Sequence, residues 1–300
     1  MPEQFVDVGD IRLCYETFGD PGDPALLLIM GLGTQMIAWP DDFCEMLAAR
    51  DLYVIRFDNR DVGLSTKIDA PIPTLGQIVA RSKSGAAYSL RDMADDAAGL
   101  LEQLGIEAAH VAGASMGGMI AQVMAIGHPD QVLSLASIMS NTGGRLNGQP
   151  AVGVYPVFLR RRRPVDDRDR YVADTLAVFK TFGSRGELTD DDTLREVLGR
   201  GFDRDRTLAG FARQLAAVVT GRDRSKALRQ LKVPAVVIHG TADRLVRPSG
   251  GRATAAAIPG AKLVMIENMG HDLPRGAWPQ IVDEIVANAA RATQAPAAVS

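Results

Sequence analysis

Cysteine and histidine are scarce in this 300-residue chain: the sequence holds two cysteines, Cys14 and Cys44, and four histidines. Two cysteines allow at most one disulfide, and without a Cys-x-x-Cys pair or a Cys/His cluster they offer no zinc site. The glycines at 31 and 33 lack the third glycine of a dinucleotide-binding turn. We therefore expect buried free thiols, and neither a metal nor a cofactor.

Long apolar runs and a surplus of basic charge are also missing. No segment approaches the roughly 20 apolar residues of a membrane span, and the first residues lack the basic start and apolar stretch of a secretory signal. A net charge of −3 gives no basic field for nucleic acid or an anionic membrane. We expect a cytoplasmic protein whose partner is a small molecule, while the sequence leaves the oligomeric state open.

What the chain does contain is an alternation of strand and helix patterns, which predicts an α/β fold with a mostly parallel sheet. Strand-like runs occupy residues 25–30, 53–58, 108–113, 132–139, 233–239 and 262–267, and helical patterns residues 115–127, 171–181, 208–220 and 278–290. Because β-like runs vanish between residues 141 and 228, this part is predicted to be a helical cap. Residues 1–140 and 229–292 then form the core, and 293–300 a flexible tail.

A Gly-x-Ser-x-Gly pattern at residues 113–117 falls where a predicted strand turns directly into a helix. A nucleophilic serine needs such a sharp turn, which tolerates only small residues two positions away on either side. Ser115 is therefore the candidate nucleophile. The backbone N–H of Met116 begins the helix and is a candidate oxyanion donor. Glycine-serine turns without catalysis also occur, and that structural interpretation is the alternative.

A serine hydroxyl needs an imidazole to take its proton and a carboxylate to orient that imidazole. His271 follows the last strand in a glycine-containing loop, on the edge where catalytic groups of open α/β sheets gather. The three other histidines, at positions 110, 128 and 239, are expected to be structural. Asp243 also follows a strand on that edge, and it gives the chain order Ser, Asp, His of this fold.

Three other carboxylates compete with Asp243 for the role of the acid. Asp58 and Asp61 come too early in the chain, and Asp272 adjoins the histidine that it would have to orient. The stretch from residue 58 to 65 is expected to be a structural turn that supports the site.

A second glycine turn follows the strand at residues 25–30, and it would aim the Leu32 N–H at the same point as that of Met116. The neighbouring Met30 and Gly31 are candidates for the substrate pocket. A glycine pair after a strand is also a common plain turn. The oxyanion interpretation is favoured because this pair comes before the nucleophile turn in the chain.

These motifs resemble those of the α/β-hydrolase superfamily over nearly the whole chain. The segments Met30-Gly31, Trp39-Pro40, VIRFD at 54–58, RDVGLST at 60–66 and Met269-Gly270-His271 look similar to the aclacinomycin methylesterase type and to related mycobacterial lipase/esterases. The resemblance implies an α/β-hydrolase fold and a cofactor-free carboxylesterase. It carries the triad onto Ser115, Asp243 and His271, with Leu32 and Met116 as oxyanion donors. Met30 stands where the superfamily usually has histidine, which bears on the pocket lining.

The expected reaction is hydrolysis of a carboxylic ester, with thioesters and lipid esters in the same class. A methionine-rich floor formed by Met30, Met116 and Leu32 favours an ester of medium size and low polarity. Hydrolysis of a C–C bond, acyl transfer and peracid formation use the same triad and stay open, as does a ligand receptor with this fold. Dehalogenation needs a carboxylate in place of Ser115. The arginine run at residues 160–163 is expected to be a solvated face rather than a site for anions.

Overall fold

Eight short segments rich in β-branched and other apolar residues pair into one sheet in the computed structural model, which describes residues 2–154, 166–207 and 209–293. The strands are β1 (Gln4–Val8), β2 (Ile11–Phe18), β3 (Ala25–Ile29), β4 (Tyr53–Phe57), β5 (Ala109–Ala114), β6 (Val132–Ile138), β7 (Ala235–Gly240) and β8 (Lys262–Ile266). Their order in the sheet is β1-β2-β4-β3-β5-β6-β7-β8. From β4 to β8 all neighbours are parallel, and the predicted α/β architecture is confirmed.

The inner strands β3, β5 and β7 are buried at every residue, as expected for parallel strands covered on both faces. The first two strands differ, because β1 and β2 form an antiparallel hairpin at the edge, closed by Gly9 at φ +56°. We predicted no strand before residue 25, so this hairpin is an addition to the predicted sheet.

Helices cover both faces of this sheet. The α-helices of the described residues are α1 (Asp41–Ala48), α2 (Leu75–Val79), α3 (Leu90–Gln103), α4 (Met116–Gly127), α5 (Arg168–Phe179), α6 (Asp191–Arg204), α7 (Ala209–Thr220), α8 (Ser225–Leu228), α9 (Ser249–Ala257) and α10 (Trp278–Thr293). The apolar residues of α3 and α4 pack on one face, and those of α1 and α10 on the other. In the part of the chain that is described, no helix has the length and apolarity to cross a membrane, and the cytoplasmic location stays a prediction.

Between β6 and β7 the described residues form helices α5 to α8 and no strand. This agrees with the helical character that the sequence indicates for residues 141–228, whereas the boundaries of a separate cap domain stay a prediction. The arginine run at residues 160–163 lies outside the described residues, as does most of the predicted tail.

Both cysteines are free and fully buried, as predicted. Burial raises the pKa of the Cys14 and Cys44 thiols to about 12. Neither thiol is therefore a reactive thiolate at neutral pH.

The described residues between β6 and β7 are called the insert below. The turn that follows β4 fastens two helices of the insert, α6 and α7, to the core through two buried carboxylates. Arg204, the last residue of α6, binds Asp58 with Nη2 and Oδ2 2.9 Å apart. Arg213 on α7 binds both carboxylate oxygens of Asp61 at 2.7 Å. Burial by itself would raise the pKa of Asp61, but hydrogen bonds from Arg213 and Tyr88 outweigh it and hold that pKa below its ordinary value. These contacts explain why acidic residues occur in a turn that we expected to be structural.

We predict that Arg213→Leu lowers the free energy of unfolding by about 3–5 kcal/mol, because it leaves the Asp61 carboxylate buried without a partner. Urea denaturation followed by circular dichroism measures the change. Since the folded pKa of Asp61 lies below the unfolded value of 3.8, the pair's contribution should be complete at neutral pH and fade as the pH falls below about 4.

Arg195→Leu is the matched control, because this arginine on α6 binds Asp192 in a solvent-exposed ion pair. Exposed pairs contribute little, so the control should unfold close to the wild type. Equal destabilisation by the two variants would contradict the anchoring role of Arg213.

Candidate active site

Ser115 occupies the sharp turn between β5, which ends at Ala114, and α4, which begins at Met116. Its backbone has a positive φ, with φ +57° and ψ −118°. Residues other than glycine rarely adopt positive φ, and where they do the surrounding structure has to enforce it.

Glycines on both sides of Ser115 allow the close packing that enforces this turn. A Cβ on Gly113 would lie 2.2 Å from the carbonyl oxygen of Gly117, and one on Gly117 would lie 2.0 Å from the carbonyl oxygen of Ile29. Both distances are far below the 3.0 Å that real Cβ atoms keep. Any larger residue would therefore separate α4 from the strands beneath it.

His271 and Asp243 approach Ser115 in the order that the sequence indicates. The Nε2 atom of His271 lies 2.8 Å from Ser115 Oγ, and its Nδ1 atom lies 2.7 Å from Asp243 Oδ2. An ionised carboxylate only accepts hydrogen bonds, so Nδ1 carries the ring proton. The Nε2 atom of the neutral ring is then left to accept the serine proton.

The second carboxylate oxygen of Asp243 is held by its own loop. Oδ1 accepts the backbone N–H groups of Leu245 and Val246, each at 2.9 Å. The carbonyl oxygen of Val246 lies 2.7 Å from Nε2 of His239, whose ring is fully buried. Burial lowers the pKa of His239, so the ring is neutral and donates this bond. His239 thus braces the loop that carries the acid.

The loop that carries His271 rests on residues 182–184 of the inserted segment, which we did not single out in the sequence. Phe182 accepts the backbone N–H of His271 at 2.8 Å. Ser184 accepts the N–H of Gly270 through its hydroxyl and donates its own backbone N–H to Asp272 Oδ1 at 2.9 Å. Asp272 is therefore turned toward the insert, while Asp243 orients His271. Burial raises the pKa of Asp272.

The two candidate oxyanion donors flank the serine. Met116 is the first residue of α4, and its N–H therefore has no partner within the helix. Gly31 lies directly against Ser115: a Cβ on Gly31 would be 3.1 Å from the Ser115 Cβ atom. This contact places the loop that carries Leu32 beside the serine turn.

A cavity of about 580 Å³ opens above Ser115 and His271, within the size range of small-molecule sites. Methionines are among the residues that line this cavity. All three residues predicted for its floor, Met30, Met116 and Leu32, line it as well. Helices α5, α6 and α7 add a further apolar wall, with Val178, Phe179, Leu194, Val197, Leu198, Phe211, Leu215, Val218 and Val219. Among the described residues, the ionisable side chains that line the cavity besides His271 are Arg81, Asp190 and Asp272.

The remaining histidines have partners outside this arrangement. His110 lies 2.9 Å from the hydroxyl of Ser134, and His128 lies 2.7 Å from Asp95. Across residues 2–154, 166–207 and 209–293, no group of three or more His, Cys, Asp and Glu side chains is arranged to hold a metal ion.

A family model described as "alpha/beta hydrolase fold" matches residues 24–274. The chain belongs to the α/β-hydrolase fold family. Rhodomycin D methylesterases from Streptomyces peucetius and a further Streptomyces strain are 29% and 28% identical to it, over 98% of this chain and all of theirs. The enol-lactonase of Burkholderia xenovorans shares the fold, with a TM-score of 0.71, 22% identity and coverage of 97% and 100%. The chain is thus an esterase-type enzyme, and its resemblance to the aclacinomycin methylesterase type is confirmed.

We predict that Gly117→Ala lowers the free energy of unfolding by about 3 kcal/mol or more, since its Cβ would meet backbone atoms that cannot move aside cheaply. Gly76→Ala on α2 is the control, because the nearest atom to its added Cβ is 3.9 Å away. Thermal unfolding compares the two variants. A Gly117→Ala protein as stable as the control would show that the close packing beneath the serine turn is not required.

Proposed function

We propose that this chain is a serine esterase that hydrolyses a carboxylic ester through an acyl-enzyme on Ser115. One observation carries the proposal: the hydrogen-bonded series Asp243, His271 and Ser115 ends at the floor of an apolar cavity. A serine hydroxyl paired with an oriented imidazole is an activated nucleophile. The cavity beside it has the size to bind a small-molecule substrate.

The reaction begins when Ser115 Oγ attacks the ester carbonyl carbon and His271 Nε2 takes the serine proton. Asp243 holds the ring in the tautomer that can accept it and stabilises the resulting imidazolium. The Leu32 and Met116 N–H groups bind the carbonyl oxygen as it becomes an oxyanion. His271 then gives the proton to the departing alkoxide, which leaves as alcohol, and water repeats the sequence to release the acid and free Ser115.

The apolar walls favour a substrate of low polarity, because an ionised group inside them would lose its hydration. Two relatives are named for cleavage of a methyl ester of rhodomycin D, and this suggests a methyl ester here as well. In that arrangement the larger acid occupies the cavity and methanol departs. The inserted segment supplies the walls of the cavity opposite the sheet, and we propose that it serves as the cap.

Ser115→Ala should lower kcat by roughly 10⁴ to 10⁶ while leaving the fold intact. The purified protein is assayed with p-nitrophenyl and methyl esters and then labelled with a fluorophosphonate, and mass spectrometry identifies the modified residue. Titrated acid and quantified alcohol distinguish hydrolysis from acyl transfer and peracid formation when alcohol or peroxide is added as a competing acceptor.

Ser140→Ala is the matched control. Ser140 is buried next to Gly118 on the serine turn, and its hydroxyl has no hydrogen-bond partner among the described residues. This variant should keep both activity and labelling. If Ser115→Ala retains more than a tenth of the wild-type rate, the assignment of the nucleophile is wrong.

Within a series of neutral esters, kcat/KM should rise by about fourfold per added CH₂ until the cavity is filled, since burial of one CH₂ contributes about 0.8 kcal/mol. Short esters that carry a carboxylate should react more slowly than neutral esters of equal length. The measurement is initial rates at substrate concentrations well below KM. Faster turnover of the charged esters would contradict a substrate of low polarity.

A further inference from the structure

The loop that carries the proposed oxyanion donor Leu32 is fastened by a side chain from the inserted helices. We infer that Gln214, on α7, is a positioning residue for the oxyanion hole. The inference rests on the proposed function, because it takes Leu32 as an oxyanion donor.

Gln214 is fully buried and bridges two segments of the core. Its Oε1 atom accepts the backbone N–H of Gly33 at 2.7 Å, and its Nε2 atom donates to the carbonyl oxygen of Arg60 at 2.9 Å. A buried amide with satisfied donor and acceptor fixes the orientation of both partners.

The Gly33 bond controls the peptide plane next to the proposed donor. Gly33 N–H and the carbonyl of Leu32 belong to one planar peptide unit. Gln214 holds the N–H end of this unit, and Thr34 Oγ1 donates to the Leu32 oxygen at 3.2 Å. With the unit held at both ends, rotation about the Leu32 backbone is restricted, and so is the direction of its own N–H.

Gly33 itself shows how closely α7 approaches this loop. Its φ is +63°, and a Cβ at this position would lie 2.6 Å from the ring of Phe211. The same helix meets the turn after β4, where a Cβ on Gly210 would lie 1.9 Å from the Asp61 carbonyl oxygen. Arg213, adjacent to Gln214, binds the Asp61 carboxylate.

Helix α7 is therefore clamped on the core at the position from which Gln214 reaches the loop. It follows that the insert does more than line the cavity. Its docking on the core sets the geometry of the oxyanion site, so catalysis depends on a contact between two parts of the chain that are far apart in sequence.

Gln214→Met tests this, because methionine has a similar length and no hydrogen-bonding amide. We expect kcat to fall about 10- to 100-fold, since a small misplacement of an oxyanion donor is costly, while KM for a neutral ester changes less than about threefold. The inhibition constant of a trifluoromethyl ketone, which forms a tetrahedral adduct with serine, should rise by the same factor as kcat/KM falls. A purely structural role would not link these two quantities.

Gln122→Met is the matched control, because Gln122 is an equally buried glutamine whose side chain bonds Ser137 and Arg224. It should lose stability, measured by thermal unfolding, and keep kcat at temperatures where it is folded. Thr34→Val frees the other end of the same peptide unit without altering α7, and a loss of kcat of about threefold or more is expected from it.

The outcomes separate the two proposals. If the wild type cleaves no ester and resists the fluorophosphonate, the proposed function fails. If the wild type is active, Ser115→Ala is inactive and folded Gln214→Met keeps kcat within twofold, only the role of Gln214 is overturned. A folded Gln214→Met protein that raises KM alone would also overturn it, because the side chain would then act on substrate binding.

Discussion

The turn at Ser115, with its positive φ, is the constraint on which the site depends. A non-glycine residue at positive φ costs on the order of 1–3 kcal/mol and persists only when its surroundings enforce it. Here the enforcement is direct contact between backbones: α4 sits so close to β3 that Gly117 has no room for a side chain. The same contact brings Gly31 against Ser115, and thus the loop after β3 beside the start of α4.

The rest of the arrangement follows from parallel strands that end on one edge of the sheet. The loops after β3, β5, β7 and β8 deliver Leu32, Ser115, Asp243 and His271 to that edge. Each loop then needs bracing, because loops are the mobile parts of a fold. Asp243 is braced by its own backbone and by His239, whereas the loops of Leu32 and His271 are braced by Gln214 and Ser184 of the insert.

The buried ion pairs of Asp58 and Asp61 also fix the position of structural elements. A buried pair adds little net stability, since desolvation offsets much of its attraction, but breaking it is costly. Arg204 and Arg213 are therefore suited to fixing where α6 and α7 dock. The position of α6 and α7 is important because both helices line the cavity, and α7 also holds the loop at Gly33.

The predictions from sequence were accurate where the signal is local. The strand runs at residues 25–30 and 53–58 end within a residue of β3 and β4, and the glycines around Ser115 predict a turn whose steric reason is partly local, because a Cβ on Gly113 would meet the carbonyl of Gly117. Contacts over long separations have no such signal. Gly33 and Gln214 are 181 residues apart, and nothing in either local pattern indicates that they meet. The edge hairpin of β1 and β2 was missed because its first strand is short and only half buried.

A crystal structure of the protein inhibited by a neutral alkyl phosphonate ester would test the proposed active site most directly. We expect phosphorus bonded to Ser115 Oγ, with the phosphoryl oxygen about 2.7–3.1 Å from the backbone nitrogens of Leu32 and Met116, and the alkyl group in the cavity beneath α7. Phosphorus on another residue, or a phosphoryl oxygen turned away from these two nitrogens, would contradict it.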